Sequence, residues 1–189
     1  MPDRTHDFGR YGADGRRGSE AAAGVLDSLT QGIASPVTSR RGLAARLRYL
    51  TRSQAGRDAM RDAGITVTPR TLKAWIAGKQ RPKKANLAKI DAAYGKLRRQ
   101  NVARYLLGRL NANGGTRVEI HPLDQTHVPV PHRRVLEYRR LNIRHWDAII
   151  DAWSRGDTQA LDNAWIDQIV NLGSQWGKYE YVSSVGFAI

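Results

Sequence analysis

The chain has 189 residues, 41% of them hydrophobic and five of them tryptophan, which suits one large or two small domains with a real core and excludes an extended disordered protein. It contains no cysteine, which excludes disulfides, thiolate nucleophiles and cysteine-ligated zinc and fits a reducing compartment. The net charge of +14 is confined to one segment: residues 41–104 hold seventeen Lys/Arg against three Asp/Glu, while residues 1–40 and 105–189 are each balanced.

A segment of sixty-odd residues with that surplus attracts polyanions, and nucleic acid is the commonest inside a cell. An anionic membrane surface is the competing partner. The charged first twenty residues do not read as a secretory signal, and no window approaches the roughly 18 apolar residues of a membrane span.

Residues 1–40 begin rich in Gly, Arg and Asp and read as a flexible arm, with one short helix in the Ala/Leu run from Ala21 to Leu29. From Arg41 the pattern turns helical. Leu43, Leu47 and Leu50 form one stripe, with Arg46, Arg48 and Arg52 largely off it. "SQAGRDAMRDAG" predicts a second helix, with Ser53 as N-cap and Gly64 as the left-handed residue that ends it.

The third helix has the clearest start: Thr68 as N-cap, Pro69 at the first helical position where its missing N–H costs nothing, and closure at Gly78. Leu72, Trp75 and Ile76 turn inward, leaving Arg70, Thr71, Lys73 and Ala74 outward. Helix, glycine turn and a second helix with small polar and cationic residues is the pattern of a helix-turn-helix that enters a major groove, Thr68 to Ala74 facing the bases. Lys79, Arg81, Lys83 and Lys84 follow, with Lys89 on the next helix, all placed to hold backbone phosphates. That next helix has its apolar stripe at Leu87, Ile90, Tyr94 and Leu97.

Asn113-Gly114-Gly115 is a turn, and Thr116 to Ile120 alternates as a strand. Pro122, Pro129 and Pro131 impose an irregular loop. Two amphipathic helices follow, carrying Trp146, Ile149, Ile150 and Trp153, then Leu161, Trp165, Ile169 and Leu172. A last strand alternates over Tyr179, Tyr181, Val185, Phe187 and Ile189. The expected fold is therefore α+β: an arm (1–40), an all-helical basic helix-turn-helix domain (41–112) and a small strand-helix-helix-strand domain (113–189).

No catalytic constellation stands out. His121, Asp124, His127 and His132 have ligand chemistry but no metal-site spacing, and read as loop surface. Asp147 and Asp151 read as a solvated helix face, and the regularly spaced tryptophans as core rather than a stacking platform. Neither a Walker-type phosphate loop nor GxGxxG is present. No cofactor or metal is expected.

The segment "TPRTLKAWIAGKQRPKKANLAKI" followed by "NGGTRVEIHP" resembles the telomere-protecting terminal proteins of actinobacterial linear chromosomes and plasmids. The match lies at Val67, Thr68, Arg70, Thr71, Leu72, Trp75, Ile76, Gly78, Lys79, Arg81, Pro82, Leu87, Ala88 and Ile90, and extends in outline over residues 42–189. The resemblance implies a protein primer, not an enzyme. A side-chain hydroxyl receives the first nucleotide from a DNA polymerase, whose metals supply the catalysis, and the protein stays joined to the 5′ end. In that family the hydroxyl belongs to a threonine in the loop after the first strand of the C-terminal part, here Thr126. Thr116, Tyr138 and Ser154 are the neighbouring hydroxyls. The partners implied are double- and single-stranded telomeric DNA, the polymerase and a telomere-associated recruiting protein, at a cytoplasmic, nucleoid-associated location. Homodimerisation is left open. The rival classes are a helix-turn-helix regulator of transcription or plasmid copy number, and an RNA-binding or nucleoid protein.

Overall fold

The computed structural model describes Gly9 and residues 11–188; residues 1–8 and Arg10 of the expected arm, and Ile189 of the expected last strand, lie outside these. The elements are β1 (Arg16–Arg17), α1 (Gly18–Leu29), α2 (Arg40–Thr51), α3 (Gln54–Asp62), α4 (Pro69–Ile76), α5 (Lys84–Asn111), β2 (Thr116–Pro122), β3 (Arg139–Ile143), α6 (Asp147–Arg155), α7 (Thr158–Ile169) and β4 (Tyr181–Ala188). The protein is a mixed helical and antiparallel-sheet molecule. Its contacts define two compact units: Thr30–Val102, and the flanking segments Met1–Leu29 with Ala103–Ile189.

Three helix starts of the Thr30–Val102 unit are written locally. The Ser39 hydroxyl accepts from the amide of Gly42 at 3.0 Å, Ser53 from Gly56 at 3.1 Å and Thr68 from Thr71 at 3.2 Å. Gly64 follows α3 at φ +71, a left-handed conformation that costs glycine nothing for want of a Cβ. Leu43, Leu47, Leu50, Met60, Trp75, Ile90 and Leu97 meet in a single buried cluster, so the apolar stripes of α2 to α5 close on one another.

Arg46 departs from the outward position expected of it. It is buried, and its guanidinium donates to Asp91 at 2.6 Å and to the carbonyls of Ser35 and Gly42 at 2.7 and 3.2 Å, over the Tyr94 ring at 5.3 Å. Burying a guanidinium costs heavily unless its donors are paired, and these partners supply the pairing. The same interactions pull in chain expected as arm. Residues Thr30 to Ser35 are held by Arg98 to the Thr30 carbonyl at 2.5 Å, by the Ile33 amide to the Tyr94 hydroxyl at 3.0 Å, and by Arg46 to Ser35.

In the other unit the sheet order is β1-β4-β2-β3, antiparallel throughout. It has two strands more than expected. β3 precedes the helices, and β1 comes from the segment read as arm. Gly18, Ala21, Ala22 and Leu26 of α1 are buried, so residues 18–29 are core of this unit rather than flexible chain. Arg17 donates to Asp162 at 2.6 Å and Ser19 to the other oxygen of that carboxylate at 2.7 Å, which fixes the N-terminal segment to α7.

Strand alternation places Val118, Ile120 and Ile143 on the buried face and Arg117, Arg140 and Asn142 on the exposed one. The expected alternation of the last strand breaks at a register shift beside Pro122, which has no N–H to give the ladder. Both Val182 and Val185, three residues apart, are therefore buried, and Tyr179 lies before the strand in a 3₁₀ turn. Among the described residues no helix is long and apolar enough to cross a membrane.

Candidate nucleic-acid interface

The Thr30–Val102 unit contains seventeen Lys/Arg and three Asp/Glu, which accounts for the whole net charge of the chain. The adjoining unit is neutral. Within the basic unit, α3, the Ala63–Val67 turn and α4 follow one another, with Trp75 buried and Leu72 and Ile76 half-buried toward the core. Arg70 and Lys73 are exposed, and Thr71 and Ala74 are half-buried. Of the outward row expected of α4, the two cations are exposed, while the two small residues are as half-buried as Leu72 and Ile76.

The ten residues expected at the interface separate by what else they touch. The side chains of Arg70, Lys73, Lys79, Lys83 and Lys84 have no hydrogen-bond or ion-pair partner among the described residues, so their charge is available to a ligand. Thr68 and Thr71 share a hydroxyl contact of 3.0 Å as part of the cap of α4. Arg81 donates to the Thr38 carbonyl at 3.1 Å, and Lys89 to the Gly64 carbonyl at 3.0 Å, so both also hold the scaffold. Ala74 supplies only a methyl-sized surface.

Arg40 was not singled out from the sequence. Its guanidinium donates to the Ala77 carbonyl at 3.1 Å, satisfying an orphan acceptor at the end of α4. Nothing local in the sequence signals that contact, because its partner lies 37 residues away.

Thr126 lies in the loop after β2, exposed, at the second position of a tight turn closed by the Val128 amide on the Gln125 carbonyl at 3.0 Å. Its hydroxyl donates to Asp124 Oδ1 at 2.5 Å, and its amide donates to the same oxygen at 2.8 Å. The hydroxyl bond, then the amide bond, hold the Asp124 carboxyl below its ordinary range. The contact orients the Thr126 hydroxyl, and the depressed carboxyl is a weak base, so Asp124 positions the hydroxyl without taking its proton.

The loop is not loose. The Gln125 amide group both donates to the Arg134 carbonyl at 2.8 Å and accepts from the Arg134 amide at 2.7 Å. Arg133 donates to the Val128 carbonyl at 2.8 Å, and Asp14 and Asp124 exchange backbone bonds at 2.9 and 3.0 Å. The other hydroxyls differ. Thr116 is buried and donates to the Leu110 carbonyl at 2.7 Å, Tyr138 accepts from Arg140 at 2.9 Å, and Ser154 donates to the Asp151 carbonyl at 2.9 Å.

Beside this loop a cleft of about 270 Å³ has Leu123, Val128 and Leu136 among its apolar walls and Arg134 and Lys178 among its polar ones. Tyr11 and His132 also line it, their rings stacked at 3.8 Å and 6°. Among the described residues no three His, Asp or Glu side chains come together to hold a metal ion. No protein-family model, curated protein or solved structure matches the chain.

Proposed function

We propose that the protein binds double-stranded DNA through α4 and serves as a primer for DNA synthesis at a replicon end, capping the 5′ terminus through Thr126. The observation that carries the reading is the Thr126 hydroxyl at 2.5 Å from the Asp124 carboxylate, exposed to solvent. In the basic unit, the cationic row of α4 and the unpaired lysines beyond it support a helix-turn-helix domain for DNA, with Arg70 and Lys73 at base edges and Lys79, Lys83 and Lys84 on phosphates.

In the priming step the Thr126 oxygen attacks the α-phosphorus of a nucleoside triphosphate. The new bond is Oγ1 to phosphorus, the bond to the β-phosphate oxygen breaks, pyrophosphate leaves, and the hydroxyl proton is released to solvent. A polymerase supplies the metal ions that stabilise charge on the transferring phosphate. The protein itself contributes a nucleophile oriented by Asp124, and location on the DNA.

The test is peptide mass spectrometry of the protein recovered from its native cells after exhaustive nuclease digestion. A nucleotide remnant on Thr126 is the expected result. A remnant on Tyr138 or Ser154 moves the linkage site, and an unmodified chain in cells whose replicon ends are protein-linked overturns the priming reading in favour of a DNA-binding regulator.

A further inference from the structure

We propose that the cleft of about 270 Å³ beside the Thr126 loop seats a single nucleotide, with its base against the aromatic side and its phosphate at Arg134 and Lys178. The proposal deepens the priming reading and rests on it for the ligand's role.

The walls have the two chemistries a nucleotide needs. Arg134 and Lys178 both line the cleft, and among the described residues no carboxylate lines it with them. The unit as a whole is neutral, so this pairing of cations is local and not part of a general surplus. Lys178 spends one contact on Gln175 at 3.3 Å, and an ammonium has three donors, leaving two for a phosphate. On the aromatic side Tyr11, His132 and Tyr181 line the same space. The 3.8 Å stack of Tyr11 on His132 holds two of those rings parallel, and nucleobases stack on such rings whatever their sequence.

Size and rigidity agree. The volume sits just below the usual range of small-molecule pockets, about 300–1,000 Å³, which suits one nucleotide and excludes an oligomer bound along its length. The Gln125 side chain is consumed in holding both backbone groups of Arg134, so the backbone of that wall is set before any ligand arrives. Gln125 and Val128 line the cleft and bracket Thr126 in the chain, so the turn that carries the acceptor hydroxyl borders the cleft, although Thr126 itself does not line it.

Two sources share this chemistry, a free deoxynucleoside triphosphate and the terminal nucleotide of a single strand. The test titrates the full-length protein, without polymerase, with a deoxynucleoside triphosphate, with a 5′-phosphorylated trinucleotide and with inorganic triphosphate. Saturable binding of either nucleotide probe is expected. Lys178→Ala and Tyr11→Ala each weaken it about tenfold, the loss that a missing phosphate contact or stacking ring produces, while Tyr11→Phe retains it. A preference for the triphosphate assigns the free nucleotide, and a preference for the trinucleotide assigns the strand end. No saturable nucleotide binding, inorganic triphosphate binding as tightly as either nucleotide, or variants that bind like the parent overturn the proposal. A Thr126 remnant without nucleotide binding sinks the cleft alone, and binding without a remnant sinks only the priming role.

Discussion

Arg46 and Asp91 are joined at 2.6 Å, and that guanidinium also holds the backbone of residues 33–35 through the Ser35 carbonyl at 2.7 Å and the Ile33 carbonyl at 3.4 Å. A lysine at this position offers one point charge where the fork of an arginine reaches several acceptors. Arg46→Lys is therefore expected to cost about 2–4 kcal/mol, much of it from carbonyls left unpaired. Asp91 is half exposed, so Asp91→Ala costs only about 1 kcal/mol after solvent screening. Urea unfolding of both variants measures the two losses, and equal losses would contradict the hub role of Arg46.

Arg70→Ala or Lys73→Ala lowers discrimination between DNA sequences by about 1–3 kcal/mol if the side chain reads a base edge. Lys83→Ala weakens every sequence alike and reduces the salt slope by about one. Fluorescence anisotropy across a salt series separates the two behaviours. Unaltered preference in both Arg70→Ala and Lys73→Ala places recognition elsewhere than α4.

The Asp124 carboxyl titrates below its ordinary value because the Thr126 hydroxyl and amide bond its charged form. The sign follows from a folded value depressed below the unfolded one. The contribution is complete above the ordinary aspartate value, about 3.9, and is lost as pH falls through the depressed folded value. Carboxyl carbon NMR should give a midpoint under that ordinary value, and Thr126→Val should move it upward. A midpoint indifferent to Thr126→Val would falsify the hydroxyl–carboxylate contact.

Two glycines in helices predict opposite outcomes. A Cβ on Gly56 would stand 2.0 Å from the Leu50 carbonyl oxygen, where α2 and α3 meet, so Gly56→Ala costs about 1–3 kcal/mol. A Cβ on Gly95 meets nothing within 4 Å in the middle of α5, so Gly95→Ala gains about 0.5–1 kcal/mol in helix propensity. Thermal melts of the pair check both signs.

What was legible in the sequence is what is written locally. Ser53, Thr68, Pro69 and Gly64 mark α3 and α4 because caps and left-handed glycines act within three or four residues. The leucine stripe of α2 and the alternation of β2 are equally short in range. The rest depends on partners far along the chain. The N-terminal segment reads as an arm because its composition is polar and glycine-rich. Its order comes from Asp162, which Arg17 meets across 145 residues, and from Tyr94 and Arg98, which bind backbone that carries no sequence signal of its own. β3 was missed because Arg139–Ile143 is only five residues long, with two apolar residues in its alternation, and takes its strand form from pairing with β2. At the site, the cations of α4 were readable from residue type and the irregular loop from its prolines, while Thr126 came only from the resemblance. The Asp124 contact and the Gln125 tie to Arg134 follow from the path of the loop.

The interruption of one unit by the other fixes an order of events during synthesis. α1 emerges early, yet its partners on α7 and β4 follow only after the whole helical unit has been made. At ribosomal speeds of about 5–20 residues per second, the roughly 150 residues in between take on the order of ten to thirty seconds. The basic unit can therefore be complete and holding a polyanion while α1 still waits with Ala21, Ala22 and Leu26 uncovered. A fragment beginning at residue 113 would never acquire α1 and would present the matching bare groove, so separating the halves for study requires a circularly permuted chain that rejoins residues 1–29 to the C-terminal segment.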